Sequence, residues 1–131
     1  MSDILLTLFI AAVLPYLAKA PLVWAMHRAG GYDNHYPRRQ QAALTDFGQR
    51  CNAAHYNSFE ALLFFATAML FVLAATDVTV SMLYVAWGFI ACRLGYLVCY
   101  WFDWATARSV IWLGSMAAAI SLMLMALNNM N

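Results

Sequence analysis

Lys19, Glu60 and Arg93 are ionisable side chains set inside long apolar runs. A charge near the middle of a bilayer costs roughly 2.5–3.5 kcal/mol, so each needs a partner or a task. At about 100° per residue along a helix, Arg50, Ala53, Asn57, Glu60 and Phe64 fall within one narrow sector. The same rotation groups Arg93, Tyr96 and Tyr100, with Trp104 continuing the line. Two readings of these stripes stand side by side. In the structural one, Glu60 pairs with Arg93 or Lys19 between helices, and the tyrosines satisfy interhelical hydrogen bonds. In the functional one, the stripes line a pocket for an anion and a thiol toward the end where Arg50 and Arg108 lie. Guanidiniums, tyrosines, an amide and a carboxylate together complement a zwitterionic peptide. Arg50 and Arg108, near helix ends, are also placed to snorkel to the interface.

Other chemistries find no footing. His27, His35 and His55 have no partner at ligand spacing, so no metal is expected. Cys51, Cys92 and Cys99 form no CxxC pair and are odd in number, and they read as small apolar packing residues. A nucleophile elbow, a phosphate-cradling glycine loop and a HExxH helix are all absent. The net charge of +1 supplies no basic field, so no nucleic-acid partner is expected.

The elements that must position these residues are membrane spans. Of the 131 residues, 65% are apolar and 10% charged, against roughly 45–50% and about 25% in soluble domains. That excludes an ordinary soluble domain, and disordered chains are poor in apolar residues. Four runs are long enough to cross a hydrocarbon core: about 4–26, 51–75, 80–101 and 108–127. They form one all-α membrane domain over residues 1–131. Ala18-Lys19-Ala20 imitates a signal-peptidase site, but Pro21 would follow the cut, so the first run is expected to be a retained helix. A polar loop at about 27–49 joins the first two spans, the second ends at Thr76-Asp77, and Asn128, Asn129 and Asn131 make a polar tail. Arg28, Arg38, Arg39 and Arg50 lie in or beside that loop, so the positive-inside rule puts it in the cytoplasm with both termini outside. Trp101, Phe102 and Trp104 suit the headgroup region at the same end.

The segment Arg50-Cys51-Asn52-Ala53-Ala54-His55-Tyr56-Asn57-Ser58-Phe59-Glu60, opening an apolar helix, resembles the signature of the MAPEG family, membrane-associated proteins in eicosanoid and glutathione metabolism. Arg93-Leu94-Gly95-Tyr96 with Tyr100, followed by Ala107-Arg108-Ser109-Val110, is similar to the family's third-helix and fourth-helix pattern. Gly31-Tyr32-Asp33-Asn34 with Pro37-Arg38 looks like the loop of small bacterial members, which would place the chain in a bacterial inner membrane. The resemblance covers nearly the whole chain. It implies a homotrimer of left-handed four-helix bundles, surrounded by membrane lipid, with glutathione as co-substrate bound between subunits near the cytoplasmic face.

By the same resemblance, Asn57 and Glu60 hold glutathione's backbone and amino group, Arg50 matches the arginine opening the motif, and His55 matches a contact position in some members. The helical wheel sets His55 almost opposite Asn57. Arg93, Tyr96 and Tyr100 would line the pocket from the adjacent subunit. Arg108 matches the arginine that stabilises the glutathione thiolate, since a nearby guanidinium favours the anion. The activity implied is transfer of glutathione to a lipophilic electrophile, or reduction of lipid hydroperoxides with it.

The chain departs from the pattern at Ala53, where many glutathione-using members carry arginine. Its loss removes a bidentate partner for a carboxylate and leaves Arg50, Arg28 or Arg38 to compensate. Two rival functions follow: a non-catalytic member that binds a lipid or a protein partner, and a small transporter subunit with Glu60, Arg93 and Lys19 along a polar path. The transporter reading draws on Pro15 as a sign of a broken helix.

Overall fold

The computed structural model describes residues 2–75 and 77–129. Thr76 and Asn131, at the expected end of the second span and in the polar tail, lie outside the described residues. Four long apolar helices, α1 (Ser2–Arg28), α3 (Asp46–Ala74), α4 (Val80–Trp101) and α5 (Ala105–Asn128), have the length and composition to cross a membrane. A short helix, α2 (Pro37–Ala43), lies within the loop between the first two. Among the described residues there is no strand. The protein is an all-α membrane bundle.

The helices form a ring in the order α1, α3, α5, α4, in which α3 also touches α4 across the middle and, among the described residues, α1 does not reach α5. Small residues let the backbones approach: Ala11, Ala61, Ala68, Ala86, Ala119 and Ala126 are all buried. Phe65 of α3 stacks on Phe89 of α4, with ring centroids 4.0 Å apart and planes within 9°. Around this pair Ile4, Met69, Val72, Met82 and Leu122 close the half of the bundle away from the basic loop.

α1 runs unbroken through Pro15 and Pro21. A proline inside a membrane helix is tolerated where neighbours satisfy the backbone it disturbs, and Pro15 is itself buried. The broken helix expected of a transport path is therefore not formed.

The loop between α1 and α3 is more ordered than its polar sequence suggests. Gly30 and Gly31, at φ of 107° and 97°, end α1 in a left-handed turn where a Cβ would be strained. Asp33 Oδ1 then accepts from the backbone N–H groups of His35 (2.8 Å) and Tyr36 (3.0 Å), which leads the chain into Pro37 at the start of α2. Gln40 ties this helix back to α1. Its Nε2 donates to Gly31 O at 2.6 Å and Met26 O at 3.2 Å, and its Oε1 accepts from Asp33 N at 3.0 Å. α3 consequently begins at Asp46, whereas periodicity alone starts it near Cys51. Gly48 packs so closely that an added Cβ would lie 3.1 Å from Leu44 Cβ and 3.4 Å from Ala25 Cβ.

The two ends of the bundle are sorted by charge. At one end Arg50 of α3 meets Asp103 of the α4–α5 corner, at 3.8 Å. At the other, Asn129 Nδ2 donates to Asp77 O at 2.7 Å. Arg28, Arg38, Arg39, Arg50 and Arg108 thus gather at the first end with Asp33, Asp46 and Asp103, while the second carries Asp77 and Asp3 and, among the described residues, no basic side chain.

Candidate functional site

α3 presents Asn57 and Glu60 one turn apart, and Asn57 Nδ2 donates to Glu60 Oε2 at 2.9 Å. Asn57 Oδ1 accepts from Arg93 Nη2 of α4, also at 2.9 Å. One amide therefore bridges a carboxylate and a guanidinium on different helices. Arg93 is 2% exposed and its Nη1 has no hydrogen-bond partner. Its Cζ sits 4.1 Å from the ring centroid of Tyr96, and the Tyr96 ring meets Tyr100 edge-on at 5.2 Å. Arg108, in the first turn of α5, places its Cζ 4.5 Å from the Tyr100 ring. Such contacts hold a guanidinium by its face and leave its N–H edge free for an anion.

Glu60, Asn57, Arg93, Tyr96, Tyr100 and Arg108 thus form one continuous array across α3, α4 and α5. The two sequence stripes, without Arg50, converge. The structural reading fails in its detail: Glu60 has no ion pair among the described residues, and Arg50–Asp103 is the single one they contain. Glu60 reaches Arg93 through Asn57 instead. The resemblance puts Arg93, Tyr96 and Tyr100 across a subunit boundary from Asn57, yet Arg93 and Asn57 are hydrogen-bonded within one chain. The buried middle of the array is internally satisfied except for Arg93 Nη1, while Glu60 is exposed and Arg108 half-buried. A ligand would meet the open ends first.

Two expected site residues stand apart from the array. His55 is buried and its Nδ1–H donates to Pro15 O of α1 at 2.8 Å. Its ring contacts Tyr56 and Phe59, with centroids 5.6 and 5.3 Å away, so it braces α1 against α3 on the opposite side of α3 from Asn57. Arg50 shares Asn57's sector but turns to Asp103, with its Cζ 6.0 Å from the Phe47 ring. Asp103 has a φ of 61°, tolerated best by aspartate and asparagine among residues with a Cβ. Sequence reasoning did not find Asp103 as a partner, because nothing in the pattern aims a corner residue at a helix two elements away. Lys19 lies in a separate cleft of α1, α2 and α3.

A sequence model of the MAPEG family matches residues 4–128. The chain belongs to the MAPEG family. No curated protein and no solved structure gave a match. MAPEG membership agrees with the four membrane helices and with the order of the motifs along them. It makes this an integral membrane protein of a family concerned with eicosanoid and glutathione metabolism.

Proposed function

We propose that this MAPEG protein is a membrane-bound enzyme that activates glutathione and delivers it to lipophilic electrophiles or lipid hydroperoxides. The observation that carries the reading is the Arg93–Tyr96–Tyr100–Arg108 stack, joined to Asn57 and Glu60 in one array at the basic end of the bundle. Glu60 would take the ammonium of glutathione, Asn57 and Arg93 its polar backbone, and Arg108 the sulfur. A free thiol is mostly protonated at neutral pH, and a guanidinium beside it favours the thiolate, which is the nucleophile. In conjugation the sulfur's electron pair forms the S–C bond and the leaving group departs with its bonding pair. In peroxide reduction the thiolate attacks the terminal oxygen, the O–O bond breaks, and the alkoxide takes a proton to become the alcohol. A second glutathione then converts the sulfenic acid to disulfide and water.

In this reading the chain works as a homotrimer in a bacterial inner membrane, with the basic loop cytoplasmic and both termini outside, so glutathione enters from the cytoplasm and the acceptor from the lipid. The test is ultraviolet thiolate absorbance of the purified protein titrated with glutathione. A saturable signal that disappears in Arg108→Ala is the expected result. No signal at millimolar glutathione from folded protein would overturn it.

One second reading rests on specific residues. Ala53 stands where an arginine would grip a carboxylate, and Arg50 is engaged by Asp103. Both favour a non-catalytic member that binds a lipid or a protein partner, which predicts ligand retention without thiolate formation.

A further inference from the structure

Pro15, inside α1, changes the hydrogen bonding of its helix twice. Its carbonyl accepts from His55 Nδ1 at 2.8 Å. Proline also has no N–H, so Ala11 O, four residues earlier, loses its ordinary helical donor. Ala11 is 3% exposed, and a carbonyl left unpaired inside a membrane bundle is costly. Arg93 of α4 has the converse need. Its Nη2 donates to Asn57 Oδ1 at 2.9 Å, while its Nη1 has no partner among the described residues and the side chain is 2% exposed. One helix thus carries an acceptor short of a donor, and another a donor short of an acceptor.

Ala11 and Arg93 line the same small cavity between α1, α3 and α4. It has about 10 Å³ of room, and every residue around it except Leu62 is buried. Such a space admits about one water molecule and nothing larger. Ser58 of α3 adds a third polar group to the lining. It is 5% exposed, and its Oγ donates to Ala54 O at 2.8 Å, which uses the hydroxyl proton and leaves the lone pairs to accept. The other walls, Leu14, Ala61, Leu62, Phe89 and Leu97, offer apolar side chains only. A ligand here must accept from Arg93 and donate to two oxygens. Water does both, whereas a halide has nothing to donate and an ammonium nothing to accept with.

We infer that this cavity binds one water molecule, which accepts from Arg93 Nη1 and donates to Ser58 Oγ and Ala11 O. Roughly three hydrogen bonds is the usual complement of a buried water. The water joins α1, α3 and α4 at one point and holds the second amino group of the guanidinium whose first is held by Asn57. The proline that could mark a broken helix instead supplies an acceptor beneath the array. The site stands on the packing of three helices and does not rest on glutathione chemistry.

The test pairs a crystal structure of the full chain, grown from a lipid mesophase in bromide salt, with nuclear magnetic resonance of arginine-labelled protein in detergent. One oxygen-sized density peak is expected within hydrogen-bond distance of Arg93 Nη1, Ser58 Oγ and Ala11 O, without anomalous signal. A cross-peak between long-lived water and the Arg93 guanidinium protons should accompany it. That cross-peak should fall about tenfold in Ser58→Val, which removes an acceptor and fills the space. It should fall about threefold in Pro15→Ala, which gives Ala11 O a backbone donor. Alanine suits a helix interior, so Pro15→Ala keeps the test usable if Ser58→Val fails to fold. An empty cavity overturns the inference, and so does an anomalous bromide peak within it. A cross-peak of unchanged strength in the folded variants overturns it as well.

Discussion

Two faces of α3, built from neighbouring residues, treat polar groups in opposite ways. On one face Asn57 completes the needs of Glu60 and Arg93, and the charges are drawn into a chain of contacts reaching Arg108. On the other face Lys19 and Arg38 border a cleft and have no ion pair among the described residues. His55 and Asn57 are two positions apart, yet one braces α1 while the other engages α4. A buried polar side chain whose bonds are filled within the protein orients its neighbours, and one left uncompensated at an opening selects a ligand. Arg108 is informative because it joins the two conditions: its face rests on Tyr100 while, among the described residues, it has no ion pair.

Four substitutions would break or sharpen this contrast. The largest effect is expected from Arg108→Ala, which removes the charge that stabilises the thiolate. Turnover should fall by about 10²–10³-fold with the bundle's helicity unchanged, as steady-state rates and circular dichroism would show. Next comes Arg93→Leu, which leaves Asn57 Oδ1 without its donor and unseats the tyrosines. A loss of about 1.5–3 kcal/mol in stability, read by denaturation in detergent, should accompany weaker glutathione binding. Ala53→Arg restores a carboxylate partner on the Asn57 sector and should tighten glutathione about tenfold by isothermal titration. Unchanged affinity there would mean that another cation already holds the carboxylate. The smallest effect belongs to His55→Leu, which breaks the bond to Pro15 O and should cost about 1 kcal/mol in thermal stability. A loss of thiolate formation in that variant, at full folding, would erase the distinction between the faces.

How much of this was legible depends on the range of the interactions. The four spans follow from runs of apolar residues, a local property that a bilayer enforces. The stripes were legible too, because Asn57 and Glu60, or Arg93, Tyr96 and Tyr100, share a face by helical rotation alone. The same rotation already set His55 opposite Asn57, so its place against α1 needed no tertiary information. By contrast, α2 is not legible in the sequence: Gly30-Gly31, Asp33-Asn34 and Pro37 mark a loop, and seven residues form no stable helix alone. Its position follows from Gln40, which bonds back to Gly31 and Met26. Arg50 was assigned by its sector, and only the corner at Asp103 reveals that it is engaged. The cleft that Lys19 and Arg38 line is hidden for the same reason, since the two lie 19 positions apart in sequence.

The corner between α4 and α5 has a consequence for the order in which the array assembles. Trp104 N donates to Cys99 O at 2.8 Å and Arg108 N to Trp104 O at 2.9 Å, so the chain reverses tightly around the left-handed Asp103. Tyr100 and Arg108 are thereby only eight positions apart in sequence, whereas Arg93 and Asn57 are separated by 36. Short loops close first because they cost the least chain entropy. The Tyr100–Arg108 half of the array is therefore a property of one helical hairpin. The Asn57–Arg93 half waits for α3 to dock.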